Sequence, residues 1–301
     1  MIRGDGIFSS SSHPSQQFQT TTMSAHTVST QYVSIKGTKI AYRRLEKPSA
    51  IPLLYLTHFH GTVDLIDALL LNSITTSRSL IIMDNAGVGH SSGNIQPTIQ
   101  EAGSTVMDFL NAIDVPKVDI IWFSMGGFIA QSIAVNSSHV VNKLVLAGTQ
   151  SSYTEGFVAP DPAITAEAGQ DNITEEAMMK LFFYPSDTSR ALGHAFWQRI
   201  TERNVDGEER TTFVDVAGGQ TQSGAIGAFV SDPSFFAKLK QVGMPVLITN
   251  GKDDIMTPTA NSWLMQQNLK NSELHIHPDS GHGHLYQFPE LYAKQLDLFL
   301  G

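Results

Sequence analysis

An apolar run that stops at a serine constrains this chain most: Val118-Asp119-Ile120-Ile121-Trp122-Phe123-Ser124-Met125-Gly126-Gly127-Phe128. Its first part suits a strand buried on both faces. After the serine and the glycines, Phe128, Ile129, Ser132 and Ile133 recur at helical spacing. Strand, sharp turn and helix with Ser at the apex is the layout of a nucleophile elbow, where the turn lifts the hydroxyl above the sheet toward a base. Gly126, just beyond the turn, lets the helix pass close to the strand. A serine among small residues also arises by chance, so the assignment depends on partners elsewhere in the chain.

The surrounding sequence supplies a frame for such a turn. Tyr32–Ile35 and Lys39–Arg43 flank Lys36-Gly37-Thr38 and predict an antiparallel hairpin. Strands are predicted at Pro52–Leu56, Leu80–Met83 and Lys143–Ala147, with a helix over Val63–Leu71. Thr98 and Glu101 form a capping box opening a helix whose Ile99, Ala102, Val106, Leu110 and Ile113 share one face. Strands alternating with helices imply parallel pairing and right-handed crossovers. The alternation stops over 149–233, a mostly helical stretch read as a lid insertion over the strand ends, with the Met178–Pro185 stripe lining a pocket. It resumes with strands Pro245–Thr249 and Glu273–His277, a helix near Pro258–Leu269 and a last helix Pro289–Leu300. The core is therefore assigned to 30–148 and 234–301. Residues 1–29, rich in Ser, Thr and Gln, are read as a disordered leader with no apolar segment of the kind a signal peptide needs.

A serine nucleophile needs a base, and the base needs an orienting carboxylate. Strand Pro245–Thr249 runs into Asn250-Gly251-Lys252-Asp253-Asp254, and strand Glu273–His277 runs into Asp279-Ser280-Gly281-His282-Gly283-His284. Each delivers a candidate at the carboxyl edge that also carries Ser124. The chain order is Ser, Asp, His.

With these residues assembled, the chain from about Tyr32 to Leu300 resembles an α/β-hydrolase, and its Ser124-Met125-Gly126-Gly127 is similar to the serine esterase and cofactor-free haloperoxidase branch. Asp84-Asn85-Ala86-Gly87-Val88-Gly89-His90-Ser91 resembles the family's Asp-x-x-Gly-x-Gly-x-Ser loop. The resemblance implies a mostly parallel, doubly wound sheet with an amino-terminal antiparallel hairpin and a helical lid. Gly251-Lys252-Asp253-Asp254 with Pro258 resembles the acid loop and places the triad acid at Asp254, leaving Asp253 a solvated neighbour. Gly281-His282 resembles the base loop, which makes His284 the lesser base candidate. Asp84 is assigned to holding its own loop. The backbone N–H of Met125 and one from the loop after Pro52–Leu56 should form the oxyanion hole. Aligning Thr57-His58-Phe59-His60-Gly61 with the family's His-Gly-Phe-Pro-Gly puts the second donor at Phe59. The chain departs from the pattern at Thr57-His58 and at Trp122, where the family usually has Gly.

The reading is a serine hydrolase: Ser124 attacks, His282 moves the proton, Asp254 holds His282, and an ester, lactone or thioester of a small, largely apolar substrate is cleaved. Perhydrolysis, C–C bond cleavage and a non-catalytic binding protein on this fold are its alternatives. A net charge of −9 without a basic run argues against nucleic acid, and the absence of cysteine removes thiol nucleophiles and thiolate metal sites. A metallohydrolase would need His-x-His-x-Asp-His, but Thr62 and Val63 follow His58 and His60. No cofactor, metal or membrane partner is expected, and a cytoplasmic location is.

Overall fold

Adjacent residues of each central strand serve opposite faces of a sheet that is covered on both sides. The structure, a computed structural model, describes residues 24–47, 49–170 and 173–301. Eight strands form one sheet: β1 (Gln31–Ile35), β2 (Thr38–Leu45), β3 (Leu53–Leu56), β4 (Leu80–Met83), β5 (Val118–Phe123), β6 (Val141–Ala147), β7 (Val246–Gly251) and β8 (Ser272–His277). Their order is β1-β2-β4-β3-β5-β6-β7-β8, with β2 antiparallel to β1 and β4 and all other pairs parallel. The β1–β2 hairpin turns through Lys36 (φ 49°) and Gly37 (φ 86°), the left-handed pair that a two-residue hairpin loop requires.

Leu54, Leu56, Ile120, Trp122, Leu144 and Leu146 point into one core, while Leu53, Tyr55, Ile121, Phe123, Val145 and Ala147 point into the other. The first core is closed by α2 (Ile99–Ala112), α3 (Met125–Asn136), α8 (Pro233–Leu239) and α9 (Thr259–Asn268), and the second by α1 (Ala68–Ile74) and α11 (Pro289–Leu300). Between β6 and α8 lie α4 (Pro162–Ala168), α5 (Glu175–Phe182), α6 (Asp187–Thr201) and α7 (Val216–Val230), and the short α10 (His284–Gln287) follows β8. Helices α5 and α6 add Met179, Phe182, Phe196 and Ile200 to the second core, whereas α7 adds Ala225 and Phe229 to the first. Among the described residues no helix is long and apolar enough to cross a membrane.

Two expectations change. The helix expected over Val63–Leu71 is a 3-10 turn at Val63–Leu65 followed by α1, because Asp67 stops the first and caps the second by accepting from Leu69 N at 2.9 Å. Residues 24–29, assigned to the leader, are packed: Ala25 and Val28 are buried, and Arg203 donates to the carbonyls of Ala25, His26 and Val28 at 3.1, 3.1 and 2.8 Å. Positions 1–23 of that leader lie outside the described residues. The Arg203 contacts belong to a buried charged network centred on Asp64. Its carboxylate meets Arg43, Arg203 Nε at 3.0 Å, His90 Nε2 at 2.8 Å and Thr211 N at 2.7 Å. These donors hold the Asp64 carboxyl well below the usual range against the opposing effect of burial.

Candidate active site

Ser124 sits at the junction of β5 and α3 with φ 56° and ψ −121°, outside the regions a side chain prefers. Such a conformation costs on the order of 1–3 kcal/mol and persists only where its surroundings enforce it. Here Ser124 N donates to Ala147 O at 3.0 Å and Ser124 O accepts from Gly127 N at 2.9 Å. A Cβ on Gly126 would lie 3.0 Å from Thr57 O and 3.3 Å from Trp122 Cβ, so glycine is what allows α3 to lie against β3 and β5. Trp122 itself is fully buried in the first core, on the strand face opposite Phe123. Its bulk is thus absorbed beneath α3.

The acid and base loops meet next to this turn. Asp254 and His282 are both buried, and His282 Nδ1 donates to Asp254 Oδ2 at 2.8 Å. Asp254 Oδ1 accepts from Met256 N and Thr257 N at 2.8 and 2.9 Å, and Thr257 Oγ1 donates to Asp254 Oδ2 at 2.7 Å. The carboxylate is thus locked before it holds the imidazole. The His282 ring packs on Phe123, the residue before Ser124, with centroids 4.7 Å apart. Its Nε2 is buried with no hydrogen-bond partner among the described residues. Asp253 is exposed. His284 is fully buried behind the base, with Nδ1 donating to His282 O at 3.1 Å and Nε2 accepting from Thr249 Oγ1 at 3.0 Å. It supports the base loop rather than facing Ser124. Asp84 accepts from Val63 N and His90 N at 2.8 and 2.9 Å, holding its own loop, and burial pushes its carboxyl up to about 6.

Phe59 lies on the loop after β3 and Met125 at the first position of α3. Both line the cavity that contains Ser124. A helix's first N–H groups have no intrahelical acceptor and carry its positive end, which suits Met125 N–H to a developing oxyanion. His58, the departure from the family pattern, is 5% exposed and lies edge-on to Phe182 and Tyr286 and tilted against Phe123. Burial, with His282 and His60 adding to it, lowers His58 to about 3, so its imidazole is neutral.

Ser124, Phe59, Ala168 and Met256 stand where two lobes of a cavity meet. One lobe, about 470 Å³ with its open mouth, is lined by His58, Met178, Leu181, Phe182 and Phe213. The other, about 750 Å³ again with its open mouth, is lined by Phe128, Gln150, Pro160, Ile164 and Ile226. Of the Met178–Pro185 stripe, Met178, Leu181 and Phe182 face the first lobe, whereas Met179 and Phe183 pack against Gly193 of α6. No Lys or Arg lines either lobe among the described residues. Sequence reasoning missed Thr257 and marked His58 only as a departure from the family pattern. The spacing of Asp254 and Thr257 is that of a side chain bonding a backbone N–H a few residues on, and could have revealed the first.

Comparison with known proteins follows the same lines. A family model described as alpha/beta hydrolase fold matches residues 55–289. Among curated relatives, the chain is 27% identical over 223 residues to a 2-hydroxy-6-oxo-6-(2'-aminophenyl)hexa-2,4-dienoic acid hydrolase of Metapseudomonas resinovorans, covering 73% of each chain. It is 26% identical over 193 residues to a pimeloyl-(acyl-carrier protein) methyl ester esterase of Nitrosomonas europaea, covering 60% of this chain and 70% of that one. Among solved structures, an alpha/beta hydrolase fold protein from Chitinophaga pinensis aligns with a TM-score of 0.82 at 32% identity, covering 92% of this chain and 99% of that one.

Proposed function

The chain belongs to the alpha/beta hydrolase fold family, and on that premise we propose that it is a serine hydrolase that cleaves an ester, lactone or thioester of a small, uncharged, largely apolar substrate. The observation that carries this reading is the buried Asp254–His282 pair, its outer imidazole nitrogen unpartnered, beside a serine in a strained elbow. Ser124 Oγ attacks the substrate carbonyl while its proton passes to His282 Nε2, and the carbonyl oxygen becomes an oxyanion facing the N–H groups of Phe59 and Met125. The tetrahedral adduct collapses, the bond to the leaving group breaks, and that group departs with the proton from His282. Water then gives a proton to His282 and adds to the acyl carbon. Ser124 leaves with that proton, restoring the starting state. Asp254 keeps His282 in the tautomer whose Nε2 accepts.

The cavity supports an uncharged substrate. A carboxylate held there would lack a Lys or Arg partner, and His58 is neutral at any ordinary pH. The relative of Metapseudomonas resinovorans, named as a dienoic acid hydrolase, favours a second reading in which the same serine attacks a ketone and a carbon–carbon bond breaks. The missing cation ranks this behind acyl transfer, because a dienoic acid brings a charge into a lobe lined by Met178, Leu181 and Phe182.

A fluorophosphonate probe and a panel of neutral acyl esters, lactones and a vinylogous keto acid, run on the full chain and on Ser124→Ala, test both readings. Labelling and ester turnover that vanish in Ser124→Ala are expected. An unlabelled wild-type chain, or undiminished turnover by Ser124→Ala, sinks the serine hydrolase, and turnover of the keto acid alone promotes the second reading.

A further inference from the structure

We propose that Gln222 of α7 is a positioning residue that holds the oxyanion hole in its active shape. This inference rests on the serine-hydrolase reading. The loop carrying Phe59 closes as a turn in which Gly61 N donates to His58 O at 2.9 Å. His60, its third residue, has φ 62°, while Phe59 is outside the left-handed region. That is the signature of a type II turn, whose third position glycine normally fills. A histidine there is disfavoured and stays only if its surroundings hold it.

What holds it comes from far along the chain. His60 N donates to Gln222 Oε1 at 3.0 Å, His60 O accepts from Val214 N at 2.9 Å, and His60 Nδ1 lies 3.0 Å from Val214 O. The ring rests on Gly219, where a Cβ would come within 2.2 Å of it. Type I and type II turns differ by a flip of the peptide joining the second and third residues. That peptide carries His60 N–H, so the bond to Gln222 exists in one of the two orientations only. Without it the Phe59–His60 peptide is free to flip, which turns the Phe59 carbonyl to where His60 N–H stood and releases the loop that holds the adjacent Phe59 N–H toward the oxyanion. Gln222 is buried, lines neither lobe that contains Ser124, and so acts on the reaction through the turn.

The test compares full-length wild type with Gln222→Met and Gln222→Glu. Fluorophosphonate labelling rate, kcat and KM on p-nitrophenyl butyrate, and inhibition by a trifluoromethyl ketone, whose adduct is an oxyanion, are the readouts. Methionine removes the acceptor and should lower kcat and ketone affinity together by about 10- to 100-fold, with KM within about twofold. Glutamate keeps an oxygen acceptor and should stay within about threefold of wild type. Wild-type kcat and ketone affinity in Gln222→Met, or an equal loss in Gln222→Glu, overturns the proposal. If methionine does not support folding, Gln222→Asn, which pulls the acceptor back, takes its place. Hydrogen exchange of the His60 amide in wild type gives an independent reading: protection is expected, and exchange as fast as in an open loop overturns the proposal. If wild type is not labelled at all, the serine-hydrolase reading itself has failed.

Discussion

The two sides of the proposed site, base and oxyanion, are assembled over very different distances along the chain. On the base side, Asp254 reaches Thr257 across 3 residues and His282 across 28. On the oxyanion side, His60 reaches Val214 across 154 residues and Gln222 across 162. The base side is closed by neighbouring loops of β7 and β8, and its carboxylate is saturated with donors. The oxyanion side depends on a helix that belongs to neither flanking strand. Geometry fixed locally survives distant changes, whereas geometry fixed by remote segments can be altered from far away.

The sharpest way to break this contrast is to strip the base side of its orienter. Asp254→Asn should lower kcat/KM by about 10⁴-fold, the loss seen on removing the orienting carboxylate of serine-protease triads. Asp253→Asn, on an exposed side chain, should change it by less than about twofold. The reverse ranking would move the acid to Asp253. Next in size comes the remote attachment. A chain starting at Thr30 should be less stable than one starting at Ser24, because it loses the three carbonyls bonded by Arg203. Charge-assisted bonds of this kind suggest a loss of about 3 kcal/mol in denaturant unfolding. Equal stability of the two chains would show that residues 24–29 hold nothing.

A smaller effect separates the sides again. Thr257→Val keeps the shape but deletes the hydroxyl on Asp254 Oδ2, and kcat/KM should fall about tenfold, the worth of one hydrogen bond to a charged group. Unchanged kinetics would mean that the two backbone donors alone hold the carboxylate. The smallest effect concerns pH and stability. His58 is lowered to about 3 in the folded chain, against about 6.5 in the unfolded one. Below pH 6.5 the unfolded chain binds a proton that the folded chain refuses. Stability from this group is therefore full above 6.5 and declines as pH falls toward 3. His277, lowered to about 4, and His284 act in the same direction, while Asp84, raised to about 6, acts oppositely between about 4 and 6. Denaturant unfolding should show His58→Phe losing about 1 kcal/mol less than wild type between pH 7.5 and 5.5. Parallel curves would place a partner on His58.

What the sequence reveals follows the same division. Ser124, Asp254 and His282 each follow a strand that periodicity exposes, within motifs a few residues long, so the pairing of Asp254 with His282 and the packing of His282 on Phe123 could be foreseen. Thr57-His58-Phe59-His60 could be aligned but not shaped. Nothing in the weakly patterned VAGGQTQSGAIGAFV of α7 says that Gln222 will accept an amide from the loop after β3. Residues 24–29 escaped for a related reason. Only Ala25 and Val28 bury apolar side chains there, and the bonds to Arg203 and Asn72 use backbone groups, which leave no trace in side-chain pattern. Helix α10, four residues long, is too short to show a period.

The charged network around Asp64 also orders events during synthesis. Arg43 and Asp64 are made early, but Arg203, Glu208 and Thr211 follow much later. The bond from Thr30 to Glu208 spans 178 residues, so at ordinary translation speeds its two ends are made roughly 10–35 s apart. Until then Arg43 has Asp64 and Thr30 as partners and Ala25 N has Asn72, while the carbonyls of Ala25, His26 and Val28 lack the Arg203 guanidinium. Made before the sheet, this amino-terminal stretch completes its attachment only once Arg203 and Glu208 exist.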